Sequence, residues 1–307
     1  MKTLTLTVPD TISAPVRLDQ FISKYAESLS RSQLKAREAI ITVNGMPAKL
    51  SKKIKSGDSV QVVYSVLPDT RVRAEEVPLS IIFENENAVV IDKPQGMVVH
   101  PANGNYSGTL AQGLMFRYES ITSDFPEDEE RPGIVHRLDK DTSGVLIAAK
   151  NQASKEFLSA QFRNRETAKV YLAVVRGRVK NAEGIIDTYI RRDASNRKRY
   201  TAAESGGKHA VTRYRVLKRF TSSTFIALYP STGRTHQLRV HMRYIGNPIT
   251  GDPIYSVKDS RFPLLLHAYR LTITLPGESE PRTFHAPLPD RFKSFLREAA
   301  ADGIRKE

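Results

Sequence analysis

Three stretches of the sequence hold side chains whose types and spacing could do chemistry. The first is Arg131-Pro-Gly-Ile-Val-His136-Arg137-Leu138-Asp139-Lys140-Asp141-Thr142-Ser143-Gly144, followed by the apolar run Val145 to Ala149. It reads as a polar loop with Thr142, Ser143 and Gly144 as turn residues, feeding a buried strand. A carboxylate at Asp139 would sit on a rigid support, where a catalytic group is best held; the plainer reading is a turn acid. The second stretch runs from Ser231 to Gly246. Thr235 can cap a helix, Leu238, Met242 and Ile245 recur at helical spacing, and Gly246 stops it. Arg239 lies at the edge of that apolar stripe, and a partly buried arginine needs an anionic partner. His236 and His241 fall on different helix faces, so they do not make a metal pair. The third stretch, Lys169 to Val175, is a strand with Val170, Leu172 and Val174 on one face and Tyr171, Ala173 and Val175 on the other. A tyrosine there is either core or a flat platform under a nucleobase.

Composition narrows the partners. The chain has 307 residues, with 47 Lys and Arg against 33 Asp and Glu, a net charge of +14. Its apolar fraction of 40% is that of a folded protein rather than a disordered one. A folded chain this basic suits a polyanion, nucleic acid first and an anionic membrane surface second. There is no cysteine, which removes disulfides, thiolate metal sites and cysteine nucleophiles. The sequence has no G-x-G-x-x-G, no Gly-Lys-Ser/Thr and no H-E-x-x-H, so no dinucleotide, P-loop or zincin site is expected, and no cofactor or metal. The N-terminus alternates polar and apolar residues and is no signal peptide. No run approaches 18 apolar residues. A soluble, cytoplasmic monomer with no membrane partner is expected.

These side chains need elements to hold them. Residues 1–66 read as a small basic module, with ten Lys and Arg against five acids. Leu18, Phe21, Ile22 and Tyr25 make one helix stripe, and Ser30 caps a second helix from Arg31 to Ile40. Ile41 to Val43 and Ser59 to Tyr64 are strands, and Asn44-Gly45 is a hairpin turn. Residues 67–78 form a charged, Pro-bounded linker. Residues 79–307 read as α+β, with strands at Ala88–Asp92, Gly144–Ala149, Val170–Val175, His209–Lys218, Thr224–Leu228 and Leu271–Leu275. A helix follows Asn151. Many strands with few crossover helices predict a mixed, largely antiparallel sheet. Ser123 to Arg131 is an acidic loop. Arg191 to Arg219 holds ten Lys and Arg, Arg199 among them, against two acids, with Tyr200 and Tyr214 interspersed. Such a stretch suits phosphate tracking, or is simply an exposed charged hairpin.

Two resemblances join these parts. Arg17-Leu18-Asp19, Ser30-Arg31-Ser32-Gln33 and Ile41-Thr42-Val43-Asn44-Gly45 resemble the S4-type RNA-binding domain. That likeness implies a small α/β module whose Arg31, Lys35 and Arg37 face RNA. Gly133 to Asp139 with Thr142-Ser143-Gly144, Asp92 to Pro101, Gly233 to His241 and Leu266-His267-Ala268 resemble the RluA family of RNA pseudouridine synthases, over nearly the whole chain. The resemblance implies a pseudouridine-synthase catalytic domain after the S4-like module, as in the branch that modifies large-subunit ribosomal RNA. It implies Asp139 as the catalytic aspartate, Tyr171 as the active-site tyrosine, Arg239 as the partner of Asp139, and Arg137 entering the space of a flipped uridine. Lys93 and Pro94 would support the site rather than act in it.

The chemistry is consistent with those side chains. Forming pseudouridine breaks the uracil N1–C1′ bond, turns the base and rejoins it through C5, with nothing oxidised and no group brought in. A carboxylate can carry a covalent intermediate. A cation within a few Å keeps such a group ionised against burial, and a planar guanidinium can fix it by two hydrogen bonds. Other readings stay open: a transfer RNA pseudouridine synthase, a non-enzymatic ribosome-associated RNA-binding protein, and an RNA base N-glycosylase.

Overall fold

The computed structural model describes residues 2–26, 34, 39–64, 72–102, 104–125, 131–196, 199–256 and 261–304. The chain divides into two compact units, Met1–Thr70 and Arg71–Glu307.

In the first unit the elements are β1 (Lys2–Thr7), β2 (Val16–Arg17), α1 (Leu18–Tyr25), β3 (Ile40–Val43), β4 (Met46–Pro47), β5 (Lys53–Ile54) and β6 (Ser59–Tyr64). The alternation along β6 buries Val60, Val62 and Tyr64, which pack with Ile41 and Val43 of β3 against Leu18, Phe21 and Ile22 of α1. The sheet order is β1-β6-β3-β4, antiparallel throughout. Asn44 and Gly45 both take positive φ, 52° and 78°, as a two-residue hairpin turn of this twist requires. Asp19, in the first turn of α1, accepts two bonds from the Arg17 guanidinium and one from the Gln20 amide. Arg31, Lys35 and Arg37 lie outside the described residues, as does most of the second helix expected there. Ile40, read as its last residue, opens β3 instead.

The second unit is built on β7 (Ile81–Glu84), β8 (Ala88–Lys93), α2 (Leu110–Arg117), α3 (Glu119–Asp124), β9 (Ser143–Ala149), α4 (Gln152–Asn164), β10 (Ala168–Arg176), β11 (Glu183–Arg192), β12 (Tyr200–Ala203), β13 (Lys208–Arg219), β14 (Ser223–Pro230), α5 (Gln237–Tyr244), β15 (Leu266–Thr274), β16 (Pro281–His285) and α6 (Asp290–Ile304). Ten strands form one sheet in the order β12-β11-β13-β14-β10-β15-β9-β8-β7, with β16 added on β15. Among its described ladders, β9 with β15 is parallel and the others are antiparallel. The expected mixed, largely antiparallel sheet is therefore what the chain forms. The continuous apolar runs of β8 and β9 are central strands, and β9 is buried along its whole length. The strand read as beginning at Leu271 begins at Leu266, because Leu266 and Ala268 pair with β10 inside the sheet. Asn151 caps α4 by accepting from the Ser154 amide. Among the described residues, no helix is long and apolar enough to cross a membrane.

Candidate active site

Register brings distant motifs into one row across the sheet. Lys93 on β8 pairs with Gly144 on β9, Gly144 with Ala268 on β15, Ala268 with Tyr171 on β10, and Tyr171 with Leu228 on β14. The parallel approach of β9 to β15 needs a glycine: Gly144 has φ +116°, and a Cβ there would lie 2.2 Å from the Ala268 carbonyl oxygen. The β10–β15 register slips between Val170 and Tyr171, a bulge of the kind that re-aims a side chain beside a site. Tyr171 lines a pocket with Arg137, Asp139, His236, Arg239 and Leu266.

The loop carrying Asp139 is braced on both sides. On one side the His136 imidazole accepts from the Ile147 amide at 3.1 Å and stacks on Phe162 with ring centroids 4.3 Å apart. Burial, with the charge of Lys169 behind it, pushes His136 down to about 3, so it stays a neutral acceptor. On the other side the buried Lys93 ammonium donates to the carbonyls of Pro94, Met97 and Lys140 at 2.8 to 3.1 Å. Burial pushes this lysine down to about 8. Gly96 N–H also donates to Lys140, and the Gln95 amide to the carbonyls of Asp141 and Leu264. The Lys93–Gly96 stretch thus grips the backbone just beyond Asp139.

Arg239 reaches Asp139 from α5. Its Nη1 donates to Asp139 Oδ2 at 3.2 Å. Its two-point bond goes elsewhere: Nε and Nη2 donate to Asp252 at 2.7 and 2.8 Å. This corrects the expectation that a bidentate arginine fixes Asp139. The stronger grip is on a fully buried carboxylate, and Asp139, 22% exposed, takes the remaining donor. Burial opposes both charges of the inner pair, yet their mutual bonds prevail. Asp252 is held below the ordinary carboxylate range, helped by the Ile254 and Tyr255 amides, and Arg239 is raised above its usual value.

His236 is the other neighbour of Asp139, with Nε2 3.9 Å from Oδ2. Its backbone is left-handed, φ 56° and ψ 17°, a conformation uncommon outside glycine. α5 therefore begins at Gln237, with no side-chain cap from the preceding residue. The expected cap at Thr235 is not made. Instead Gln237 ties the turn together, accepting from Thr232 and the Arg234 amide while donating to Val211 and Thr212. His236 Nδ1 lies 2.8 Å from the Tyr255 hydroxyl, which accepts from the Tyr200 amide. That pattern assigns the hydroxyl proton to Nδ1 and the ring proton to Nε2, toward Asp139. Burial holds His236 below the ordinary histidine range against the pull of Asp139. Burial, and then the charge of Asp139, raise Tyr171, so its phenol stays protonated at neutral pH.

Asp252 and Tyr255 were not singled out in the sequence, and His236 was weighed there only as half of a metal pair. Only tertiary packing shows what the Asp252 carboxylate meets. Of the expected RNA-facing residues in this unit, Arg137 is exposed at the pocket rim. Arg199 is half-buried and donates to the Ile254 carbonyl at 2.6 Å. Tyr214 is 7% exposed and packs over Gly184, so it is core rather than a stacking surface.

The chain is similar to known proteins in sequence and fold. The family model described as RNA pseudouridylate synthase matches residues 87–244. A ribosomal large subunit pseudouridine synthase D of Borreliella burgdorferi is 41% identical over 290 residues, covering 92% of this chain and 89% of its own. An uncharacterized RNA pseudouridine synthase, YlyB, of Bacillus subtilis is 39% identical over 291 residues, covering 94% and 95%. The solved structure of human RNA pseudouridylate synthase domain containing 4 is 28% identical with a TM-score of 0.57, over 72% of this chain and 93% of its own. The fold and sequence together define an RNA pseudouridine synthase. Within that class, the chain belongs to the RluA family.

Proposed function

We propose that the chain isomerises uridine in large-subunit ribosomal RNA, with Asp139 as nucleophile. The observation that carries the mechanism is the Arg239–Asp139 contact in a pocket walled by Tyr171. The Asp139 carboxylate attacks the nucleoside while Arg239, locked by Asp252, holds it aimed. The N1–C1′ bond breaks, the uracil turns, and C5 joins C1′. The C5 proton leaves and N1 gains one, so the product is an isomer.

The target base must leave its stack, at a cost of about a few kcal/mol. Stacking on Tyr171 returns roughly 1–3 kcal/mol, and Arg137 fills the vacated place. The N-terminal unit acts as an S4-type RNA-binding module through Arg31, Lys35 and Arg37, and Arg199 adds an RNA contact on the catalytic unit. Ribosomal RNA is favoured because relatives named as large-subunit synthases align along almost the whole chain. The test is tritium release from RNA labelled at uracil C5, with wild type and Asp139→Asn on unmodified ribosomal RNA and on transfer RNA. Release from ribosomal RNA by wild type alone is expected. Release by the Asn variant would remove Asp139 from the mechanism, release from transfer RNA alone would change the substrate, and free uracil would mark a glycosylase.

A further inference from the structure

A second groove opens from the active-site pocket, sharing Arg137, Tyr171 and Arg234 with it, and adds Arg163, Arg165 and Lys169. No acid lines it. We infer that this groove is a phosphate site, holding the RNA backbone beside the target nucleotide; the inference rests on the pseudouridine-synthase reading.

Two features set these cations apart from ordinary surface charge. Lys169 opens the inner part of β10 and is half-buried, yet among the described residues it has no carboxylate or carbonyl partner. Its ammonium sits 5.8 Å from the centre of the Phe162 ring, and burial lowers its pKa. A cation drawn in from water normally has an anion beside it. Arg165 ends α4 in a left-handed conformation, φ 65° and ψ 31°. Helices commonly end there on glycine, and a side chain in that conformation is strained. Favourable placement at the helix's negative end accounts for Arg163 in the last turn. It accounts neither for an arginine where glycine is easier nor for the lysine on the strand. Both are explained by phosphate oxygens arriving with the substrate, each taking a charge-assisted bond. Tyr171 lines both groove and pocket, so a strand entering along the cations would reach the ring that faces Asp139's pocket.

The test uses the full chain, a protein-free large-subunit ribosomal RNA transcript labelled at uracil C5, and the variants Arg165→Gly and Lys169→Met. Each is expected to weaken RNA binding about tenfold. Each should also flatten the slope of log affinity against log salt by about 0.7 to 1. KM should rise by more than kcat falls. Arg165→Gly should melt no lower than wild type, and by relief of the left-handed strain about 2–4 °C higher. Binding and salt slope equal to wild type in both variants would overturn the groove, whatever the tritium shows. If wild type releases no tritium, the isomerase reading fails, and the binding slopes still decide the groove. Loss of binding with a lowered Tm in Arg165→Gly would make that residue structural and leave Lys169→Met to decide.

Discussion

Asp252→Asn tests whether the buried pair behind the active site sets the geometry in front of it. In wild type, Arg239 makes three bonds to carboxylates, two at 2.7 and 2.8 Å to Asp252 and one at 3.2 Å to Asp139. Asparagine keeps one acceptor, and with it the bonds from the Ile254 and Tyr255 amides, but turns an N–H₂ toward the guanidinium. Removing one partner of a buried ion pair costs about 3–5 kcal/mol. With the backbone bonds kept, the lower end applies, about 3 kcal/mol. For a unit of this size that is a Tm lower by roughly 6–12 °C. Arg239 would then pivot on its single bond to Asp139, and a misplacement of about 1 Å lowers turnover on the order of 10²-fold. The assay is tritium release at a temperature well below the variant's Tm, with thermal melts from pH 7 to pH 3. Because the folded-state pKa of Asp252 is depressed, its stabilisation is complete above the ordinary carboxylate value of about 3.9 and is lost as pH falls through the folded value. The stability gap between wild type and variant should therefore narrow below about pH 4. Undiminished turnover with a lowered Tm would show that Asp252 supports the fold and does not position Arg239. An unchanged Tm would refute the energetic argument as well.

Other outcomes follow from neighbouring features. Tyr171→Phe keeps the ring, so RNA affinity should stay within about twofold, while turnover falls about 10²-fold or more if the hydroxyl moves a proton. Equal turnover would leave only the platform role. His241 and His267 are fully buried and pushed down to about 4. Their neutral forms are favoured, so the stability they add is present above about pH 6.5 and lost as pH falls toward 4. From pH 7 to 5 that is up to about 2 kcal/mol each, a Tm drop of up to roughly 8–16 °C together; a flat Tm over this window would refute it. Gly144→Ala should prevent the β9–β15 pairing, because the added carbon meets backbone rather than a movable side chain. Circular dichroism and melting of the variant would show it, and a wild-type Tm would contradict the close approach.

The parts of the site that the sequence disclosed are those carried by local pattern. Asp139 stands before a run of apolar residues that can only be a buried strand, and Tyr171 and Arg239 sit in elements with clear periods. The whole course of β9 and the cap of α4 at Asn151 were legible for the same reason. What escaped was fixed by tertiary contact. Nothing in Gly-Asp-Pro-Ile-Tyr announces that Asp252 will outbid Asp139 for Arg239, because that choice depends on burial. With Thr235 as cap His236 would open the helix; instead its backbone is left-handed and Gln237 ties the turn to Thr232. The strand β11 was missed because charged residues hold many of its exposed positions, β12 because four residues are too few to show a period, and β15 was begun too late because Leu266-His267-Ala268 is likewise short.

The position of β15 has a consequence for the birth of the enzyme. It alone joins β7, β8 and β9 to the larger half-sheet from β10 to β12. Asp139 belongs to the first half, Tyr171 and Arg239 to the second. The parallel ladder that unites them pairs His267 with Ser143, residues more than a hundred positions apart. Contacts so distant along the chain are slow to form and form last. During synthesis the first half is complete early, and it then waits for the strand that closes it. Asp139 meets Arg239 only once β15 has been made, so a chain interrupted before residue 266 carries both side chains without the strand that brings them together.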